Sequence, residues 1–144
     1  MRIRKAIKKD FKDIAEISKT EFSRPPYYET WSREDSLKKI RDYIKKRSKI
    51  FIAEINNEIV GYVIFNHLIA HDGIEVYIDE IVVSKKFQGM KIGYSLFKKI
   101  EEDAYRKKSK QISLFVFNKC RAFNFYKKLK FKEDGYISLM KNLK

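Results

Sequence analysis

The chain has 144 residues, of which 33 are Lys or Arg and 19 are Asp or Glu, so its formal net charge is +14. Its 44% hydrophobic and 15% aromatic content exclude disorder and are enough for a folded core, and the length predicts one domain over residues 1–144. One cysteine, two histidines, no CxxC pair and no apolar run near the roughly 20 residues of a membrane span exclude a disulfide scaffold, a zinc finger and a membrane protein. We therefore expect a cytoplasmic protein that binds no metal.

The first part of the chain predicts one strand and two helices. Apolar and basic side chains alternate over residues 2–7, as in a half-buried strand, and Asp10 follows where a helix N-cap is expected. A first helix then begins at Phe11 and is expected to end before Pro25. A capping-box pattern at Ser32 predicts the start of the second helix.

The central part changes to the period of two that is typical of strands. Residues 50–55 and 58–69 predict a hairpin around Asn56 and Asn57, because Asn tolerates the positive φ of a tight turn. Residues 74–83 are rich in β-branched side chains and predict a third antiparallel strand. These strands would form a meander.

The last part alternates between helix and strand. We expect a helix over 92–106, a buried strand over 111–117, a short helix over 121–129 and a closing strand or hairpin over 131–143. Gly61, inside the second strand of the hairpin, is typical of a close backbone approach or a bulge. The order of elements predicts an α+β fold with three layers.

The charges are distributed unevenly along the chain. Residues 1–49 carry 16 basic and 8 acidic side chains, and residues 85–144 carry 17 and 5. Residues 50–84 carry none that are basic and six that are acidic, namely Glu54, Glu58, Asp72, Glu75, Asp79 and Glu80. This pattern suits an anionic cofactor with a cationic acceptor better than a uniformly basic nucleic-acid surface. The alternative is that the six acids lie on solvent-exposed strand faces.

The most informative segment is the junction between the third strand of the meander and the next helix. A helix N-terminus leaves backbone N–H groups unsatisfied, so such a junction is suited to phosphate. The junction resembles the Q/R-x-x-G-x-G/A fingerprint of the GNAT superfamily of acetyl-CoA-dependent N-acetyltransferases, which follows a strand ending in hydrophobic-x-V. The matching residues are Ile81, Val83, Gln88 and Gly93, and Lys91 takes the place of the central glycine.

A second stretch supports the same resemblance. It is similar to the family's N-x-x-x-A-x-x-F-Y-x-K-x-G-F signature at Asn118, Ala122, Phe125, Tyr126, Lys128 and Phe131. Lys130 stands where the family has a glycine. The resemblance covers nearly the whole chain and implies the GNAT acyl-CoA N-acyltransferase fold, a mixed central sheet of six to seven strands with about four helices.

The resemblance also implies the residues that bind acetyl-CoA. The backbone of the strand end would pair with the pantetheine arm, the junction would hold the pyrophosphate, and Asn118 would contact the arm. The expected set is Ile81, Val82, Val83, Gln88, Gly89, Met90, Lys91, Ile92, Gly93, Tyr94, Ser95, Asn118 and Tyr126.

Acetyl transfer to an amine needs an acid for the leaving thiolate. Tyr126 matches the family's general acid, and a phenol held neutral by burial is a suitable donor. The alternative is an aromatic packing role beside Phe123 and Phe125. Cys120 is expected to be incidental, because the family transfers acetyl directly from thioester to amine.

The candidate bases lie on the third strand of the meander. Alternation places Glu75, Tyr77 and Asp79 on one face and Glu80 on the other. Asp79 matches the position where small-amine acetyltransferases of the family carry a catalytic or amine-positioning carboxylate, whereas Tyr77 matches the glutamate of histone-type enzymes. The family's strand has a bulge that can reverse the alternation, so Glu80 stays a candidate. A water chain could also accept the proton.

The loop between the first two helices carries Tyr27, Tyr28 and Trp31. In the family this loop covers the acceptor site, so we expect these side chains, with Glu75 and Tyr77, to bind the acceptor. Aromatic faces attract cations. The alternative is that the three aromatic side chains pack the loop onto the sheet.

The resemblance implies an N-acetyltransferase that moves the acetyl group of acetyl-CoA to a primary amine by direct attack on the thioester. The acidic middle of the chain favours a small cationic amine of polyamine or amino-sugar type. One alternative is a protein acetyltransferase acting on lysine or an N-terminal amine, as in the ribosomal-protein type. The other is a non-catalytic basic module that binds nucleic acid, which is not the expected partner. A homodimer stays open, since family members are often dimers.

Overall fold

The computed structural model describes residues 1–143, which form five strands and four α-helices. The strands are β1 (Arg2–Lys5), β2 (Lys49–Ile55), β3 (Glu58–Ala70), β4 (Gly73–Val83) and β5 (Ile112–Leu114). The helices are α1 (Phe11–Phe22), α2 (Arg33–Lys45), α3 (Ile92–Arg106) and α4 (Arg121–Lys128). Short 3-10 turns, Lys8–Asp10 and Lys85–Phe87, precede α1 and α3. The predicted order of elements is therefore confirmed up to α4.

The strands form one mixed sheet in the order β1-β2-β3-β4-β5. The first four strands are antiparallel neighbours, and β5 pairs parallel to β4. Helices α1 and α2 cover one face of the sheet, and α3 and α4 cover the other. The predicted α+β fold with three layers is confirmed.

Each face of the sheet has its own hydrophobic core. On the α3 side, Leu96 and Ile100 of α3 pack against Val63 and Phe65 of β3. On the α1/α2 side, Ile14, Ala15, Ile40, Ile52, Tyr62 and Ile64 form the second cluster. Because the helical residues of both cores recur at three- and four-residue spacing, the amphipathic pattern in the sequence located these helices correctly.

The turns and helix caps agree with the sequence predictions in most places. The Ser32 hydroxyl accepts a hydrogen bond from the Asp35 amide at 3.0 Å and caps α2. Asn56 and Asn57 both have positive φ, of 49° and 63°, as expected for the hairpin turn. Asp10 differs, because its side chain accepts from the Ile7 amide and stabilises the preceding 3-10 turn instead of capping α1.

Two sequence predictions in the last part of the chain are wrong. The strand expected over 111–117 is limited to Ile112–Leu114, and the strand or hairpin expected over 131–143 is absent from the described residues. The sheet therefore has five strands in the described chain instead of six to seven. The apolar side chains of 136–143 are instead solvent-exposed, with Tyr136 at 85% and Leu139 at 85%.

Candidate active site

A bulge in β4 organises the centre of the sheet. In the pairing with β3, Ile64 is opposite Glu80 and Phe65 is opposite Ile78, so Asp79 is the extra residue. Such an insertion locally reverses side-chain alternation. Glu80 therefore points to the α1/α2 side of the sheet, where it contacts Tyr62. Simple alternation predicted that Glu80 and Asp79 would lie on different faces of the sheet, and the bulge makes this prediction wrong.

The same bulge marks the point where β5 separates from β4. The parallel pairing joins Val76 with Ile112 and ends with Ile78 and Leu114. Within residues 1–143, no strand therefore pairs with residues 79–83 of β4 on the side away from β3, and we call this the open edge of β4. One of its groups is occupied, because the Gln88 amide Nε2 donates to the Val83 carbonyl at 2.9 Å.

The open edge of β4 leads directly to the N-terminus of α3. Lys91 lies at the N-cap with φ 62° and ψ 17°, in the left-handed region. Gly89 also has a positive φ, of 83°. The Ser95 hydroxyl donates to the Lys91 carbonyl at 3.1 Å and so bonds within its own helix. Amide groups of the first turn of α3 remain as donors, with the positive end of the helix dipole.

Helix α4 lies beside this junction. Arg121 donates to the Gln88 side-chain oxygen at 3.4 Å. A Cβ built on Gly93 would lie 3.5 Å from Phe125 and 3.8 Å from the Val83 side chain, so α3, α4 and β4 meet there. The other expected cofactor contacts Met90 and Tyr94 are exposed by 58% and 45%, and Asn118 lies in the exposed turn before α4.

Tyr126 is buried at the same place. It packs edge-on against Phe125 and Phe131. Burial raises the pKa of the Tyr126 phenol well above its usual value, and Tyr27 and Cys120 add to the effect. The phenol is therefore held in its neutral, proton-donating form.

Cys120 and Tyr27 lie beside Tyr126. Tyr27 belongs to the loop between α1 and α2, residues 23–32, which we call the acceptor loop because the family resemblance predicts that it covers the acceptor site. The Tyr27 hydroxyl donates to the Cys120 sulfur at 3.7 Å, and its ring packs edge-on against Phe22. Burial, followed by the hydrogen bond to Cys120, raises the pKa of Tyr27 to about 12. The sequence did not predict this role for Cys120, because only the fold brings the two residues together across 93 positions.

On the α1/α2 side of the bulge, Glu80 lies in a buried polar network. Its carboxylate accepts from the Tyr62 hydroxyl at 2.6 Å and the Tyr43 hydroxyl at 3.1 Å. Lys39 approaches the same carboxylate at 3.1 Å. The neighbouring negative charge contributes, after burial, to the raised pKa values of Tyr43 and Tyr62. The sequence pattern indicated no functional role for Tyr43 or Lys39.

Asp79 has a different environment from Glu80. It accepts a hydrogen bond from the Asn66 side chain at 2.6 Å and forms no ion pair with any described residue. Burial raises the pKa of its carboxyl group, while the Asn66 hydrogen bond opposes that rise. The site thus has one carboxylate paired with a cation and one that is not.

The remaining predicted acceptor residues are dispersed. Trp31 packs its ring under the Lys39 ammonium at 4.6 Å, and Tyr77 packs edge-on against Phe115. Tyr28 is 72% exposed and lines a separate groove with Trp31. Glu75 accepts from Gln111 at 2.8 Å, several residues from the bulge.

The six acidic residues of the middle of the chain, residues 50–84, do not form one cluster in the structure. Glu54 pairs with Arg4 and Glu58 with Lys86, while Asp72 lies in the exposed turn between β3 and β4. Only Asp79 and Glu80 lie at the bulge. Among residues 1–143 there is no cluster of three or more metal-ligating side chains and no helix that is long and apolar enough to cross a membrane.

Comparison with known proteins identifies the family. The model of the acetyltransferase (GNAT) family matches residues 12–131. The chain belongs to this family. As a GNAT acetyltransferase it has a fold built for acyl transfer. No curated protein sequence matches the chain significantly.

Solved structures show the same GNAT fold at low sequence identity. A possible acetyltransferase from Clostridium difficile 630 is 16% identical, with a TM-score of 0.84 over 99% of this chain and 97% of that one. A ribosomal-protein-alanine N-acetyltransferase from Brucella melitensis biovar Abortus 2308 is 17% identical, with a TM-score of 0.78 over 99% and 100%. A transcriptional regulator from Bacillus halodurans C-125 is 19% identical, with a TM-score of 0.78 over 99% of each chain. These identities show the fold alone.

The two departures from the GNAT signatures keep the backbone shape of the residue they replace. Lys91 and Lys130 both occupy positions where the family has glycine, and both have positive φ, of 62° and 72°. The Cβ of a lysine makes unfavourable steric contacts in this region of φ and ψ, whereas glycine has no Cβ. The junction therefore keeps its backbone path with a lysine at its central position.

Proposed function

We propose that the protein is an acetyl-CoA-dependent N-acetyltransferase that acetylates a small cationic amine by direct transfer. The observation that carries the proposal is the continuous path from the open edge of β4 to the N-terminus of α3. Unpaired strand backbone can bind an extended amide-containing arm, and free helix amides can bind phosphate.

The residues present fit acetyl-CoA. Residues 81–83 offer strand backbone to a pantetheine arm, and the amides from Gln88 to Gly93 offer donors to a pyrophosphate. Lys91 supplies a backbone amide as a glycine would, and adds a positive charge. When bound, acetyl-CoA supplies an acetyl thioester that is activated toward an amine.

Tyr126 is proposed as the general acid. Its buried phenol is neutral at physiological pH and lies where α4, the acceptor loop and the open edge of β4 approach one another. A neutral phenol can donate a proton to a thiolate as that thiolate leaves. Its packing against Phe125 and Phe131 also fixes the ring.

Asp79 is proposed as the group that accepts the amine's proton or positions the amine. It is half-buried and free of ion pairs among the described residues, and Asn66 fixes one of its oxygens. Glu80 has both oxygens engaged by Tyr62, Tyr43 and Lys39. This difference favours Asp79 over Glu80 for contact with the acceptor.

The environment of the acceptor loop supports a small molecule over a protein chain. Tyr27 packs on Phe22 and donates to the Cys120 sulfur, so this part of the loop lies against the start of α4. A cationic amine at the Asp79 carboxylate would have the Tyr77 ring nearby.

The experiment that tests this function measures thiol release from acetyl-CoA with a panel of polyamines, amino sugars, amino acids and lysine or N-terminal peptides. Product masses identify the acetylated compound. We expect release with small amines and a rise in melting temperature on addition of acetyl-CoA. Release only with peptides would move the acceptor to protein, and neither release nor stabilisation would reject the function.

A further inference from the structure

The Lys39 ammonium fills a pocket inside the protein. Nζ lies 2.7 Å from the Ser18 hydroxyl and 3.1 Å from the Glu80 carboxylate. It also lies 4.9 Å from the centre of the Phe22 ring and 4.6 Å from that of the Trp31 ring. The Lys39 side chain is 17% exposed and that of Glu80 is 7% exposed. A carboxylate, a hydroxyl and two aromatic faces thus surround one cation.

This set of partners is the chemistry that recognises an ammonium group from outside the protein. A carboxylate supplies charge-assisted hydrogen bonds, and aromatic faces attract the cation once water is excluded. The pocket is next to the bulge, since its carboxylate belongs to Glu80 and the neighbouring residue is Asp79. Lys39 therefore supplies, from within the protein, the ammonium group that this set of partners is suited to bind.

We infer that Lys39 is a specificity-determining residue that limits the acceptor to a single ammonium at this site. With Lys39 in place the Glu80 charge is neutralised, and Asp79 is left as the carboxylate without a cation. The acceptor is then a primary monoamine, because the second ammonium group of a diamine adds nothing to the free energy of binding. The inference rests on the proposed function and narrows it.

The test compares 1,4-diaminobutane with 1-aminobutane, which has the same carbon chain and one ammonium fewer. Lys39→Met keeps an apolar stem against Phe22 and Trp31 but leaves the Glu80 carboxylate without a cation. The ratio of kcat/KM for the diamine to that for the monoamine is expected to rise about tenfold or more in this variant.

Two further variants control the comparison. Lys39→Met combined with Glu80→Gln removes the unpaired charge and is expected to return the ratio to the wild-type value. Lys38→Met changes the preceding exposed lysine of α2 and is expected to leave the ratio unchanged. An unchanged ratio in Lys39→Met, or an equal rise in Lys38→Met, would overturn the inference. If Lys39→Met does not fold, Lys39→Gln takes its place, since its amide can still bond to Glu80 without a charge.

A measurement without turnover separates this inference from the proposed function. If no amine supports thiol release by the wild type, the proposed function fails by itself. The melting temperature then decides the inference: 1-aminobutane should raise it in Lys39→Met and leave the wild type and the double variant unchanged. Equal behaviour of the three proteins would show that the pocket does not bind ammonium groups.

Discussion

At the scale of single residues, two lysines adopt a backbone conformation that is unfavourable for lysine, and the motifs in the sequence already indicated their positions. Lys91 and Lys130 stand at glycine positions of the family signatures and adopt positive φ. The left-handed region costs an ordinary L-residue roughly 1–2 kcal/mol relative to its preferred conformations. The junction before α3 and the end of α4 keep their shape in spite of that cost.

Replacing either lysine with glycine is therefore expected to stabilise the protein. Lys91→Gly and Lys130→Gly should each raise the free energy of unfolding by about 0.5–1 kcal/mol, after the entropy of glycine in the unfolded chain is subtracted. Urea denaturation measures the change. Lys132→Gly, at an exposed position outside the left-handed region, is the control and should give no gain. Equal or lower stability of both glycine variants would contradict this account.

Tyr126→Phe tests the proposed acid. The ring keeps its packing against Phe125 and Phe131, so acetyl-CoA affinity should change little, while kcat should fall about 100-fold, as for loss of a general acid. Steady-state kinetics and a binding titration separate the two quantities. Tyr105→Phe, which removes a hydroxyl from an exposed ring of α3, is the matched control and should leave both quantities unchanged. An unchanged kcat would remove Tyr126 as the acid.

The raised pKa of Asp79 predicts how kcat/KM depends on pH. A base must be unprotonated to act, and burial raises the pKa of Asp79, so kcat/KM should begin to fall at a higher pH than for an ordinary aspartate. Asp79→Asn should lower kcat/KM about 100-fold and remove this acidic limb of the profile. Wild-type kinetics in the Asn variant across the pH range would refute the role.

The same shift gives Asp79→Asn a stability signature. A carboxyl group whose folded pKa is raised favours folding only when protonated, so it opposes folding once the pH exceeds its unfolded value of about 3.9. The Asn variant should therefore be at least as stable as the wild type at neutral pH. Thermal melts at several pH values check this, and they show whether any loss of rate comes from unfolding.

At the scale of elements, the bulge of β4 decides both the site and its opening. It places Asp79 and Glu80 on one side of the sheet and ends the pairing with β5. Gly61 lies beside this region, where a Cβ would stand 2.8 Å from the Val82 carbonyl oxygen. The close backbone approach expected for this glycine is confirmed.

Gly61→Ala is expected to destabilise the protein by about 1–3 kcal/mol, because the added methyl group meets backbone that cannot move freely. Gly93→Ala is the matched variant. Its Cβ would make ordinary contacts of 3.5 Å and more within α3, where alanine is a better helix former than glycine. Denaturant midpoints compare the two, and a similar loss of stability in both would contradict the role assigned to Gly61.

The sequence predicted those elements that depend on local chemistry. The caps, the Asn56-Asn57 turn and the amphipathic stripes are local, and helices α1 to α4 and strands β1 to β4 were all expected. The bulge was expected only from the family resemblance; its position became clear from the pairing with β3, in which Asp79 is the extra residue. The run over 111–117 predicted a longer β5, but the pairing of β5 with β4 ends at Ile78 and Leu114.

The site was predicted in part for the same reason. Motif residues that lie within a few positions of one another, such as Gln88 and Gly93, could be recognised from their spacing in the sequence. The Glu80 network and the contact between Tyr27 and Cys120 join residues that lie 18 to 93 positions apart. Only the folded arrangement of α1, α2 and the sheet brings those side chains together.

At the scale of the whole molecule, a second charged cluster joins elements on the α3 side. Asp103 of α3 pairs with Lys49 of β2 at 2.9 Å and with His67 of β3 at 2.5 Å, and it also contacts Arg106. Burial raises the pKa of Asp103, but the hydrogen bonds from Lys49 and His67 prevail and hold it below its usual value. This cluster lies apart from the proposed site and fastens α3 to the sheet.

Asp103→Asn is expected to lower the free energy of unfolding by about 2 kcal/mol at pH 7, because it leaves the surrounding cations without their counter-charge. The stabilisation depends on the ionised form, so it is present above the unfolded pKa of about 3.9 and is lost as the pH falls through the lower folded value. The wild type should thus approach the variant in stability at acidic pH. Asp42→Asn, in an exposed pair with Lys46, should change stability by less than about 0.5 kcal/mol. Equal effects of the two changes would contradict this role for Asp103.

The measurement that tests the central claim most directly is the mass of the product formed from acetyl-CoA and a small primary amine. The account predicts that the wild type attaches one acetyl group to the amine nitrogen and releases one equivalent of free thiol, and that Tyr126→Phe does so far more slowly. Amine and thioester that remain unchanged beside a folded protein, across the whole panel of amines, would contradict it.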